Sequence, residues 1–199
     1  RAGDADGILL LRKESGATSF EALSSVKRAL GTGRVGHTGT LDKFARGLLV
    51  VLAGRSTKLV PYFTGCDKTY EGTILFGAET DTLDPEGSVV AEAPPPSGEV
   101  LEACLDAFRG NIMQAPPLYS AVHVDGRRAH EIARSGGEAE MARRPVTIHA
   151  LELLSYDGLR ADIRVRCSKG TYIRSLARDI ALAANSPAHL IALNRLQVA

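Results

Sequence analysis

The first apolar stretch, Gly7-Ile8-Leu9-Leu10-Leu11, predicts a buried strand. Thr18 and Glu21 then stand at capping-box spacing. Phe20, Leu23, Val26 and Leu30 follow at helical intervals until Gly31 supplies a stop, so the pattern predicts a helix over residues 19–30. Residues 31–47 are glycine-rich and read as a loop, and residues 48–53 return to a strand-like apolar run. Over residues 70–77, Tyr70, Gly72, Ile74 and Phe76 alternate with Glu71, Thr73 and Leu75, which is the period of a strand.

Leu83-Asp84-Pro85-Glu86-Gly87 reads as a turn into residues 88–91, and Pro94-Pro95-Pro96 as a surface connector. Val100, Leu101, Cys104, Leu105 and Phe108 mark a helix that ends near Gly110. Asp125-Gly126 and Asp157-Gly158 predict tight turns, the second closing a hairpin between residues 146–154 and 160–167. A helix is expected over residues 171–184. Residues 126–145 form a polar, Arg- and Gly-bearing excursion with a short helix and too few apolar positions to pack deeply. No internal repeat is present, and the class is α+β.

Composition narrows the picture. A chain of 199 residues, 44% hydrophobic, supports one folded catalytic-sized domain over residues 1–199. A formal charge of +1 argues against a uniformly basic coat. It leaves room for local basic surface at Arg12-Lys13, Lys27-Arg28, Arg127-Arg128 and Arg143-Arg144, each of which alone reads as a solvated pair. Cys66, Cys104 and Cys167 are far apart and no CxxC occurs. That argues against a disulfide framework and fits reduced thiols in a cytoplasmic protein. No apolar run is long enough to span a membrane, so no membrane association is expected.

Several motifs fail on inspection. Gly31-x-Gly33-x-x-Gly36 has dinucleotide-binding spacing, but it follows a helix rather than a strand. His130-Glu131 begins like a zinc-protease motif, yet Arg134 occupies the place of the second ligand. There is no phosphate loop and no GxSxG elbow. No metal site and no cofactor are expected, and any chemistry falls to side chains alone.

The segment Gly36-His37-Thr38-Gly39-Thr40-Leu41-Asp42-Lys43-Phe44-Ala45-Arg46-Gly47 places one carboxylate among small residues, with Leu41 and Phe44 to shield it. By composition alone it reads either as a surface turn with a capping aspartate or as a shielded carboxylate site, and the turn is favoured. Gly-His-Thr-Gly-Thr-Leu-Asp, with Ala45 and Gly47 after it, resembles the catalytic motif of the TruB-type tRNA pseudouridine synthases. Further likenesses run in the same order. These are Lys13-x-x-Gly16-x-Thr18-Ser19, Asp67-Lys68-x-Tyr70, Pro116-Pro117-x-Tyr119-Ser120-Ala121, Ser168-Lys169-Gly170-Thr171-Tyr172-Ile173-Arg174, and Ala188-His189-Leu190-x-x-Leu193.

The resemblance implies a pseudouridine synthase fold: a mixed, mainly antiparallel central sheet flanked by helices and loops, with an RNA-gripping insertion at about residues 120–145. It implies isomerisation of a T-loop uridine of tRNA, position 55 in standard tRNA numbering. Asp42 would be the nucleophile, paired with Arg174, and Tyr70 would stack on the base and help remove the C5 proton. Tyr172 and Leu193 would line the pocket, His37 would wedge into the T-loop, and Lys13 would support the loop or backbone contacts. Lys169, Arg127, Arg128, Arg143 and Arg144 would contact RNA. Apart from the resemblance, Tyr70 and Tyr172 read as packing residues and His37 as an ordinary loop histidine.

The chemistry suits these residue types. The isomerisation breaks N1–C1′ and joins C5 to C1′ with no net redox change. An Asp is ionised at neutral pH, and a guanidinium keeps it so on burial. An extruded base regains stacking on an aromatic ring, about 1–3 kcal/mol per base. The chain departs from the family pattern at Lys43, where Pro is usual, and at Arg46, Glu14 and Asn194. These departures bear on loop rigidity rather than on the catalytic groups. The alternative reading is a tRNA-folding chaperone, or RNA-binding module, with weak or no catalysis. No guide RNA or protein partner is indicated, a monomer is expected, and no C-terminal RNA-binding domain is expected in this chain.

Overall fold

The computed structural model describes residues 5–120, 123–124, 127–128 and 141–199. β1 (Gly7–Lys13) leads into α1 (Ser19–Leu30), β2 (Val35–His37), β3 (Arg46–Ala53), a 3₁₀ turn (Gly54–Leu59) and a short α2 (Val60–Thr64). Next come β4 (Lys68–Phe76), β5 (Ala78–Thr80), β6 (Val89–Glu92), α3 (Gly98–Leu105) with a 3₁₀ extension (Asp106–Phe108), and β7 (Gly110–Gln114). β8 (His123–Val124), β9 (Arg127–Arg128), β10 (Arg144–Tyr156), β11 (Arg160–Cys167), α4 (Ile173–Ala183) and β12 (Ala188–Val198) complete the chain. Two compact units result. One holds the chain up to Glu71 together with Ala192–Ala199, and the other holds Gly72–Ile191.

In the first unit the strand order is β1-β3-β12, with β2 also on β3. β1 and β2 run antiparallel to β3, and β12 runs parallel to it through Asn194↔Arg46 and Arg195↔Gly47. α1 forms where its caps dictate. Thr18 Oγ1 accepts from the Glu21 amide at 3.1 Å, Glu21 Oε2 accepts from the Thr18 amide at 2.6 Å, and Gly31 ends the helix at φ 63°. Leu23 and Val26 of α1 pack on Leu49 and Val51 of β3, with Leu9, Leu11, Ala22, Leu30 and Val35 around them. Each fully buried aliphatic side chain here stabilises the fold by about 1.5–3 kcal/mol. Phe20, expected on this apolar stripe, is 71% exposed; Ala22 takes its place against the core.

In the second unit the order is β4-β11-β10-β7, with the β7–β10 and β10–β11 pairs antiparallel. The Asp157-Gly158 turn closes the β10–β11 hairpin as expected. Asp157 Oδ1 accepts from the amides of Leu159 and Arg160, and Gly158 takes φ 94°. Strict alternation on β11 sends Ala161, Ile163, Val165 and Cys167 inward. They join a core with Ile74, Phe76, Leu101, Leu105, Ile148, Leu151, Leu176 and Ile180. The mixed, mainly antiparallel sheet and the α+β class agree with the expectation.

The sequence pattern did not anticipate β2, β5, β7 and β12. β2 is three residues inside a segment read as loop, and β12 carries Leu190 and Leu193 at a spacing that also fits a helix. The Asp125-Gly126 turn and most of the 126–145 excursion lie outside the described residues. On either side of that turn, β8 and β9 pair through His123↔Arg128 and Val124↔Arg127. Among the described residues no helix is long and apolar enough to cross a membrane.

Candidate active site

The loop around Asp42 is laced to the segment between β1 and α1. Ser19 Oγ accepts from the Leu41 amide at 2.9 Å and donates to the Leu41 carbonyl at 3.1 Å. The Gly16 amide donates to Lys43 O at 2.8 Å, and Ser15 Oγ to Phe44 O at 2.7 Å. Lys13 Nζ reaches Ala45 O at 2.7 Å and Ala17 O at 2.5 Å, with longer approaches to Glu14 O and Lys43 O. Residues 13, 15, 16 and 19 thus hold residues 45, 44, 43 and 41 in reverse order. The Ala45 amide also donates to Asp42 O at 3.1 Å, which closes a turn with Lys43 at its second position, where Pro is favoured. The lacing supplies the restraint that a proline would otherwise give.

Lys13 and Arg195 of this unit are each only 2% exposed. Burial pushes the Lys13 ammonium below its usual range, and the charges of Asp42 and Glu21 pull it back up. Asp42, which supplies part of that attraction, is half-buried. Arg195 Nε donates to Leu48 O at 2.7 Å, and its Nη2 to Gly39 O at 3.0 Å. Backbone approach at this point needs glycine: a Cβ on Gly47, at φ 112°, would lie 2.3 Å from Arg195 O.

His37 is half-buried at the end of β2. Its Nδ1 accepts from the Gly39 amide at 3.3 Å. Burial, and secondarily the charge of Arg195, hold its pKa below 6.5, so the ring is neutral at physiological pH. Tyr70, on β4, and Leu193, on β12, are both buried in the same unit as Asp42, Lys13 and His37.

In the second unit, Arg174 occupies the first turn of α4, where a cation opposes the helix dipole. Its guanidinium is held by acceptors. Nη1 donates to Thr82 O at 2.9 Å and lies 3.6 Å from Asp84 Oδ2, and Nη2 donates to Tyr119 O at 3.2 Å. Both members of the ion pair are buried, at 5% and 8% exposed. Asp84 is itself fixed, accepting at Oδ1 from Thr82 Oγ1 at 2.7 Å and from the Glu86 amide at 2.9 Å. The preceding Leu83 adopts φ 61°, a left-handed conformation that costs a non-glycine residue about 1–2 kcal/mol. Tyr172 sits at the N-cap of α4, its amide donating to Gln114 Oε1 at 2.8 Å. Lys169, Arg143 and Arg144 are exposed, and Arg143 Nη1 donates to Met113 O. The side chains of Arg127 and Arg128 lie outside the description. Among the described residues no group of three or more His, Cys, Asp and Glu gathers to hold a metal ion.

Residues 27–173 match the family model for the TruB family pseudouridylate synthase, N-terminal domain. The chain belongs to the TruB family. It is 48% identical to the tRNA pseudouridine synthase B of Borreliella burgdorferi over 97% of this chain and 70% of that protein. Against the tRNA pseudouridine synthase B of Bordetella avium it is 50% identical, over 97% of this chain and 81% of that one. Among solved structures, a Cbf5–Nop10–Gar1 complex superposes with a TM-score of 0.73 at 28% identity, covering 96% of this chain. This TruB-family chain spans about half, 48%, of the length of that structure's matching chain.

Three residues of this TruB-family chain escaped the sequence reading. The sequence places Ser19 in a motif without giving it a role, places Asp84 in a turn, and assigns nothing to Arg195.

Proposed function

We propose that the chain isomerises uridine to pseudouridine in tRNA, at the T-loop uridine of position 55, with Asp42 as the nucleophile. Membership of a pseudouridylate synthase family and near-full-length identity of 48–50% to tRNA pseudouridine synthases B support the reaction and the substrate class. The observation that carries the assignment of Asp42 is the laced loop. It fixes the backbone on both sides of that residue and sets its carboxylate within electrostatic reach of a buried ammonium.

The Asp42 carboxylate adds covalently to the target nucleotide, at C6 or at C1′. N1–C1′ breaks, the uracil turns, C5 bonds to C1′, the bond to Asp42 breaks and returns the free carboxylate, the C5 proton leaves, and N1 takes up a proton. Atoms and electrons balance without a co-reactant. Arg174 keeps the carboxylate ionised as water is excluded, Tyr70 stacks on the extruded base and assists loss of the C5 proton, and Tyr172 and Leu193 line the pocket. His37, neutral and planar, enters the T-loop at lower desolvation cost than a cation. Lys169, Arg127, Arg128, Arg143 and Arg144 contact phosphates, with the insertion at about residues 120–145 gripping the RNA, so binding weakens as salt rises. A monomer acting in the cytoplasm is part of the same proposal.

Asp42→Asn tests it. The variant is expected to keep its circular dichroism and to release no tritium from C5-labelled uridine in tRNA. Substantial turnover by that variant would remove Asp42 from the nucleophile's role.

A further inference from the structure

The first unit contains a buried guanidinium whose hydrogen bonds go to neutral carbonyls. Arg195 is 2% exposed, and it binds Leu48 O on β3 and Gly39 O in the catalytic loop. Burying a guanidinium costs several kcal/mol, and two carbonyl bonds are a poor return compared with an apolar side chain of similar size. The position of the cation is therefore what this arrangement secures. Gly39 is held from both sides: its carbonyl accepts from Arg195, and its amide donates to His37 Nδ1 at 3.3 Å. The backbone of Arg195 is paired with Gly47 at the other end of the loop.

We propose that Arg195 is a positioning residue that, through the Gly39 peptide, fixes His37 as the neutral imidazole protonated on Nε2. The inference rests on the reading of His37 as the RNA wedge. A protonated His37 would place an Nδ1–H against the Gly39 amide, donor to donor, so the geometry itself excludes the imidazolium. The guanidinium adds like-charge repulsion in the same direction. The elements packed on β2 carry Glu21, Lys27 and Arg28 on α1, Arg46 on β3, and Arg55 and Lys58 in the 3₁₀ turn, with Arg34 beside β2 itself and Asp42 further along the same loop. Of these charges and Arg195, it is Arg195 that acts on the His37 ring. The loop thus presents an uncharged ring with its donor edge, Nε2–H, directed away from the Gly39 peptide.

Imidazole nitrogen NMR on the free protein tests this without RNA. The wild type is expected to show His37 as the Nε2–H tautomer with a titration midpoint below 6.5. Arg195→Met is expected to raise that midpoint and mix the tautomers. Arg195→Lys keeps the charge but loses reach to Gly39 O, so the midpoint stays low while the tautomer preference weakens. A wild-type midpoint at or above 6.5, an Nδ1–H tautomer, or an Arg195→Met spectrum identical to wild type overturns the proposal; the wild-type spectrum alone decides if the Met variant does not fold. In T-stem-loop turnover, Arg195→Met is expected to raise KM about tenfold at pH 6 and less at pH 8, the loss of roughly one charge-assisted hydrogen bond. If His37→Ala turns over RNA like wild type, the wedge reading fails while the imidazole assignment stands on the spectrum.

Discussion

The Ser19 hydroxyl makes two hydrogen bonds to the backbone of Leu41, accepting from its amide at 2.9 Å and donating to its carbonyl at 3.1 Å. The first residue of α1 therefore sets the chain direction one residue before Asp42. The backbone before Asp42 is thus held in part by the helix that precedes the loop.

Ser19→Ala strands both backbone groups of Leu41 in a buried setting. It is expected to cost about 1–3 kcal/mol in urea unfolding. It should also lower kcat about tenfold with tRNA KM unchanged, because the group displaced acts on chemistry rather than on binding. A loss confined to KM would contradict this.

Asp84→Asn removes a charge partner of the buried Arg174 guanidinium. The expected destabilisation is about 3 kcal/mol. With Arg174 no longer held by Asp84, kcat is expected to fall while T-stem-loop affinity, measured by filter binding, stays near wild type.

Much of the fold around this site was legible in the sequence. The capping box, the Gly31 stop and the 160–167 hairpin strand follow from local rules, and the structure has each of them. The ordered motifs from Lys13 to Leu193 pointed to the family. What escaped has a common cause. Phe20 sits at a helical apolar spacing but faces solvent, because α1 turns Ala22, Leu23 and Val26 toward β3 instead. β2 is too short to show a period. Asp84 and Arg195 act through backbone carbonyls or through a residue distant in sequence, and such partners leave no local pattern.

Acid should weaken the fold partly through His37. Its folded-state pKa lies below 6.5, so between that value and 6.5 the unfolded chain binds more protons, and stability rises with pH across the window. Below the folded pKa the full penalty is present. His37→Gln is expected to flatten this part of a thermal-midpoint profile between pH 5 and 7 and to leave the profile above pH 7 unchanged.

Thr38 Oγ1 is buried without a hydrogen-bond partner among the described residues. Thr38→Val preserves shape and removes the unmet polar group. Unfolding free energy is expected to rise by about 1 kcal/mol. A drop of that size would show that the hydroxyl is satisfied in solution.

Gly47→Ala meets backbone, which cannot move aside as a side chain can: its Cβ would lie 2.3 Å from Arg195 O and 2.6 Å from Arg195 N. With φ at 112° as well, the substitution is expected to cost more than about 4 kcal/mol and to appear as loss of soluble protein.

Thr18 and Glu21 start α1, and Ser19 follows as its first residue. The turn that opens the helix is consequently the same one that orders the segment before Asp42. A chain whose amino-terminal turn has frayed carries an acid with no fixed address, and on the role proposed for Asp42 such a copy is expected to be inert toward RNA.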